Sequence, residues 1–184
     1  MLKYFLFLSI LISLKITFSQ CYSYPCDTLW FDENDELKSE FTVTGIYFEL
    51  SKPSLIGYKN KFTDSLTVLN MYEKLDSLAN ILIKDGGIFE IQVHQDCRNK
   101  NQSSTNLTQR RAQALYEYLI YLGVNSTKLI PKGYGDTKPR VQNNFDKTQI
   151  LNCDYIEKIS QTEIEQAEFL HQLNRRVVIK KVEP

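Results

Sequence analysis

Past residue 20 the sequence lacks any apolar run long enough to cross a bilayer as a helix. It also lacks the succession of alternating strands that a membrane barrel requires. No internal repeat and no low-complexity tract interrupts it. Nucleophile-elbow, metalloprotease and phosphate-loop patterns are missing, which removes the commonest signatures of hydrolases and nucleotide enzymes. An excess of positive charge is missing too, since 22 Lys and Arg face 22 Asp and Glu. A chain so balanced has no bulk attraction to nucleic acid or another polyanion.

What is present begins with "MLKYFLFLSILISLKITFSQ". A basic start at Lys3, an apolar run from Tyr4 to Leu14 and a small, polar end have the form of a secretory signal peptide over residues 1–19. Its removal takes away Lys3 and Lys15 and leaves 20 bases against 22 acids. All four cysteines, Cys21, Cys26, Cys97 and Cys153, lie after the expected cut. In an exported chain an even count reads as disulfides, and the preferred pairing of the three possible is Cys21–Cys26 with Cys97–Cys153. Cys21 would be the first residue of a mature lipoprotein, but Gln20 stands where a small residue is expected, so simple secretion ranks first.

Residues 20–40 form an irregular arm with an acidic cluster at Asp32–Glu36, which Trp30 and Phe31 would pin to the body. The body, 41–184, alternates. "FTVTGIYFEL" (41–50) reads as a strand. Asp64 or Ser65 caps a helix with Leu66, Leu69, Tyr72, Leu75, Leu78, Ile81 and Leu82 at helical spacing, ended by "DGG". "IFEIQVH" (88–94) alternates as a second strand. The capping-box spacing of Asn106 and Gln109 starts a second helix near Leu107, and it runs to Gly123. A third strand lies within "KLIPKGYG", an excursion with a small hairpin fills about 140–170, a third helix covers about 163–173, and "RVVIKKV" closes the chain. This order predicts an α/β fold: a β-α-β-α-β core with a closing strand, its helices packed against a mixed sheet.

The richest stretch is "VHQDCRNKNQSSTNLTQRRA" (93–112), where an acid ends one element and two bases open the next. Leu107, Leu115, Tyr118, Leu119 and Leu122 make the apolar stripe of the second helix, and Arg111 falls on it while Arg110 turns away. A guanidinium beside apolar neighbours needs an anion, and the helix start adds unpaired N–H groups. Asp96, at the mouth of the preceding strand, would then face the same crevice and hold an ammonium. Together they would grip a zwitterion; the bland alternative is that they neutralise each other as an ion pair.

The blocks "IQVHQD", "LTQRRA", "GYGDTKP" and "NRRV" stand in order across roughly 42–182 and resemble the peptidoglycan-binding OmpA-like domain of Gram-negative envelope proteins. The resemblance implies that Asp96 and Arg111 hold the amino and carboxylate ends of diaminopimelate in a stem peptide. It places Thr108 and Ser104 at positions of the same motif, and Asn174, Arg175 and Arg176 at the rim of the site. It further implies a non-catalytic wall anchor without cofactors, located in the periplasm in association with the outer membrane, with outer-membrane or other envelope proteins as additional partners. Val93, Gln95, Ser104 and Thr108 replace the family's glycine, threonine, asparagine and serine, and the first two would reshape the loop. The 140–170 insertion and the "HQLNRR" string resemble Bacteroidetes-type variants.

His94, His171, Cys97 and Cys153 could make a zinc set, but an exported cysteine pair favours oxidation, so no metal is expected. Sequons at Asn101, Asn106 and Asn125 matter only in a eukaryotic secretory setting. A periplasmic protein–protein adaptor with a degenerate wall site, docking through the insertion, is the alternative function.

Overall fold

The computed structural model describes residues 37–57, 64–98, 103–144 and 147–183. The signal peptide, Cys21, Cys26 and nearly all of the N-terminal arm lie outside the described residues.

The strand expected at 88–94 is the centre of the sheet. In β2 (Ile88–His94) the residues Phe89, Ile91 and Val93 are buried against helices, while Glu90, Gln92 and His94 occupy the opposite face. β2 pairs in parallel with β3 (Leu129–Gly135) and antiparallel with the closing strand β6 (Val177–Glu183). β6 in turn pairs antiparallel with β1 (Glu40–Val43), so the order is β1-β6-β2-β3. The last strand is thus inserted between two that precede it. The sheet is mixed, with helices packed against it, and the closing strand bridges both halves.

β1 is shorter than the strand expected over 41–50. After Val43 the chain turns at Gly45, whose φ of 77° suits glycine, and then Phe48 and Leu55 meet in a single antiparallel bridge. The resulting 44–56 loop, with Glu49 and Lys52 near its tip, becomes a wall of the site.

α1 (Ser65–Asp85) begins at Asp64, whose carboxylate accepts from the Thr67 N–H, and ends at Gly86 in the left-handed region. Its buried stripe is Val68, Met71, Leu75, Leu78, Ala79 and Leu82, while Leu66 and Leu69 point outward at 64% and 42% exposure. The sequence stripe began on the wrong leucines because Val68 and Met71 continue the same face one residue out of register.

α2 (Ser103–Tyr121) starts four residues before the expected Leu107. The Asn106/Gln109 spacing is therefore not a cap. Gln109 instead stitches α2 to β3, its Oε1 accepting from the Gly133 N–H at 2.8 Å and its Nε2 donating to the Pro131 carbonyl. The helix backbone can approach this closely because residue 133 is glycine: a Cβ there would lie 2.0 Å from the Gln109 nitrogen.

The excursion contains the anticipated hairpin, β4 (Val141–Asn144) with β5 (Lys147–Ile150), and an unanticipated short helix, α3 (Cys153–Ser160), before α4 (Ile164–Asn174). Leu151, Ile156, Ala167, Leu170 and Leu173 give it a small core of its own. A disulfide between Cys97 and Cys153, with Cα atoms 5.7 Å apart, ties it to the end of β2. Asn174 anchors it again, accepting from the Arg140 N–H and donating to the Leu151 carbonyl. Among the described residues, no helix is long and apolar enough to cross a membrane.

Candidate functional site

The end of β2 is held from both sides. The His94 N–H donates to the Arg176 carbonyl and the Gln95 N–H to the Gly135 carbonyl, each under 3 Å. This fixes Asp96, the next residue, just beyond the sheet. Asp96 is buried, and its carboxylate accepts from the Arg98 N–H at 3.2 Å and from the Arg98 side chain at 2.7 Å. It also pairs with Arg175. Both arginines reach on to Glu168 of α4, at 2.7 and 3.0 Å. Two acids and two bases therefore close a ring. Burial works against ionising Asp96, yet the hydrogen bonds from Arg98 and Arg175 prevail and hold its pKa below the usual carboxylate range.

Arg111 lies elsewhere on this surface. It is half-buried on α2, eight residues after the helix begins, so the helix start supplies no N–H groups beside it. Its Nε donates to the Lys52 carbonyl at 3.1 Å and its Nη2 to the Glu49 carbonyl at 3.3 Å. Its guanidinium carbon lies 5.1 Å from the centre of the Phe48 ring. Neutral carbonyls orient the guanidinium without cancelling its charge, and burial pulls its pKa down.

Asp96 and Arg111 are accordingly not partners of one another, and the direct ion pair weighed from the sequence does not form. Nor do they converge as a matched pair on one hollow. Arg111 lines a cleft of about 750 Å³ between the 44–50 loop and the 172–177 turn, whereas Asp96 stands behind Arg175, which lines that cleft. The reason is local: Arg98, two residues on, curls back onto Asp96 before α2 begins.

The remaining candidates divide by role. Thr108 is fully buried, and its hydroxyl accepts from the Gly135 N–H at 2.9 Å, so it joins α2 to β3 and does not face the cleft. Ser104 sits in the first turn of α2, and its side chain lies outside the described residues. Asn174 braces the excursion. Arg176 lines the cleft and donates to the carbonyls of Lys138 at 3.1 Å and Asn174 at 3.4 Å. Burial, reinforced by the charge of Arg140, lowers its pKa to about 10. His94, on the cleft floor and stacked on Tyr134, is driven to about 3 by burial and by the charges of Arg176 and Lys138. His171 is buried in α4, and the disulfide withdraws the thiolates of Cys97 and Cys153 from any metal set.

Sequence reasoning missed Arg98, Glu168, Lys74, Phe48 and Arg140. Arg98 carried a signal, a base two residues after the key acid. The others come from segments that only the fold brings near. Five cations line the cleft (Lys74, Arg111, Arg140, Arg175 and Arg176) and, among the described residues, no carboxylate does.

Comparison with known proteins agrees with this architecture. Residues 63–152 match the model of the OmpA family. Among curated proteins, none matches the sequence. A MotB-like protein from Desulfovibrio vulgaris shares the fold at a TM-score of 0.50 and 14% identity, covering 76% of this chain and 70% of that one. The peptidoglycan-associated lipoprotein from Burkholderia pseudomallei is similar at 0.48 and 18%, covering 78% of this chain and 89% of its own. The cell wall anchor of the T6SS from Pseudomonas aeruginosa scores 0.49 at 17%, covering 79% and 80%. The matched segment runs from the start of α1 to the start of α3 and so contains both Asp96 and Arg111. Over residues 63–152, just under half of its length, the chain matches the OmpA family.

Proposed function

We propose that this protein is a non-catalytic peptidoglycan-binding module of the periplasm, anchoring to the cell wall by capturing the diaminopimelate of stem peptides. The observation that carries the reading is the state of Arg111. Its guanidinium opens on the cleft, is oriented by two carbonyls and the Phe48 ring, and has no carboxylate partner among the described residues. A ligand carboxylate would complete it as a charge-assisted pair. Two relatives bear names consistent with this reading, one a peptidoglycan-associated lipoprotein and the other a cell wall anchor.

The ammonium end of the ligand goes to Asp96 once Arg175 withdraws. Glu168 makes that exchange affordable in charge terms, because Arg175 already bonds it and keeps a counter-ion when Asp96 is released. Asn174 and Thr108 support the site from behind by fixing the excursion and α2. Arg175 and Arg176 form its rim.

Sedimentation with purified sacculi tests the reading. Arg111→Ala should lose one charge-assisted contact, weakening retention roughly tenfold to a hundredfold, with little change in melting. Asp96→Asn should also weaken retention while sparing the packing. Retention of both variants at the wild-type level would refute the assignment.

The second reading is the periplasmic adaptor whose wall site is degenerate. What favours it is that Asp96 is already neutralised by Arg98 and Arg175. The adaptor would stay in the supernatant in the same sedimentation.

A further inference from the structure

Capture of a charged head group leaves the apolar part of the cleft unused. Leu50, Tyr47 and Phe169 are exposed by 91%, 44% and 41%, and all three line it. Large apolar side chains scattered singly over a surface are ordinary, but three gathered on one concavity mark ground that a ligand covers. They come from both walls, Tyr47 and Leu50 from the 44–56 loop and Phe169 from α4 of the excursion.

The backbone holds each of them in place. The Tyr47 N–H meets the Met71 sulfur at 3.2 Å, and the Tyr47 carbonyl accepts from the Ile56 N–H at 3.0 Å. Arg111 bonds the carbonyls of Glu49 and Lys52, one on either side of Leu50, so the anion-binding group also fixes the leucine. Ser51, next to it, is the one non-glycine residue with positive φ among the described residues, at 57°. The turn that turns Leu50 outward is therefore kept against a backbone cost. On the other wall, Phe169 lies between Glu168, which is held by Arg98 and Arg175, and the buried Leu170. Gln172, three residues on and on the same helix face, is exposed and lines the cleft as well.

A cleft of about 750 Å³ is of the size that encloses a whole small ligand, more than one amino-acid head group requires. Two aromatic rings, one on each wall, offer flat apolar faces, and Gln172 offers an amide beside one of them. A pyranose matches this chemistry: its C–H face packs on an aromatic ring while its hydroxyls bond amides and water. A peptide methyl group would cover only a fraction of the three side chains. We propose that Phe169, Tyr47 and Leu50 form a sugar subsite of the cleft, so that its ligand is a piece of glycan strand with the stem peptide attached. The inference rests on the stem-peptide reading and deepens it, giving the excursion a share of the binding surface through Phe169 and Gln172.

The experiment is calorimetry of the signal-free chain with two ligands. One is L-alanyl-γ-D-glutamyl-diaminopimelate acetylated at its amino end, and the other is the same tripeptide carried on its N-acetylglucosaminyl-N-acetylmuramyl disaccharide. The wild type should bind the disaccharide form roughly three- to tenfold more tightly, the gain of one ring-stacking contact. In Phe169→Ala the two ligands should bind with nearly equal affinity, at the wild-type value for the tripeptide. Phe169→Tyr, which keeps the ring, should retain the preference. Leu50→Ala, at a side chain too exposed to affect folding, should reduce it. Equal binding of both ligands by the wild type overturns the sugar subsite and leaves the Arg111 assignment standing. An undiminished preference in both alanine variants also overturns it. So does an equal loss for both ligands in Phe169→Ala, which would put the ring on the peptide. Binding of neither ligand, with no retention by sacculi, overturns both readings.

Discussion

Replacing Gly133 by alanine tests the joint that carries the site. Its new Cβ would lie 2.0 Å from the Gln109 nitrogen, 2.4 Å from the Thr108 carbonyl carbon and 2.5 Å from the Gln109 Cα, all main chain. No rotamer change relieves a clash with backbone. α2 would have to retreat from β3 by about 1.4 Å to bring 2.0 Å up to 3.4 Å, the start of ordinary contact. That retreat strains the Gln109–Gly133 and Thr108–Gly135 hydrogen bonds, now 2.8 and 2.9 Å. Overpacking of this kind costs ~1–3 kcal/mol and sometimes more, and main-chain contact puts this case at the top of the range. In a domain of this size each kcal/mol shifts melting by roughly 2–4 °C, so a fall of about 6–12 °C in a calorimetric melt is expected. Sacculus retention should fall with it, because Arg111 lies two residues beyond Gln109 on the same helix. A variant melting within about 2 °C of wild type would show that α2 and β3 are not packed as described.

His94 predicts a pH dependence. Its folded pKa of about 3 lies below the ordinary value of 6.5, so the unfolded chain takes up a proton that the folded chain refuses. Nothing is lost above pH ~6.5; below it stability should fall by up to about 1.4 kcal/mol per pH unit, and urea titrations of His94→Gln should show a flatter profile. Asp96 and Glu168, both held low by arginines, add loss in the same direction only at more acid pH. Reduction of Cys97–Cys153, which closes a separation of 56 residues, should remove ~4 kcal/mol of chain-entropy stabilisation and lower the melting temperature. An identical melt with and without reductant would contradict that.

Local chemistry made most of the elements legible. Period-two alternation placed β2, because Phe89, Ile91 and Val93 must share one face. A cap at Asp64 or Ser65 and "DGG" bounded α1, and a small hairpin was expected within the excursion. α2 was misplaced at its start because Asn106 and Gln109 have capping spacing, yet Gln109 is engaged by Gly133, a partner 24 residues away. α3 was missed because its apolar residues bury only against α4 and the small core they share.

Local pattern was enough for the fold class, the preferred Cys97–Cys153 bridge and the resemblance to the OmpA family, for these rest on periodicity, on the nearness of Cys21 to Cys26 and on ordered motifs. It could also single out Arg111 over Arg110, since helical spacing turns one toward the apolar face and the other away. Only the tertiary structure decided what Asp96 and Arg111 meet. Arg175 reaches Asp96 from the far end of the chain, Glu168 pairs with Arg175 and Arg98, and the 49–52 loop reaches Arg111. Electrostatic partnership depends on distance through space, and no local pattern encodes a contact between residues 79 positions apart.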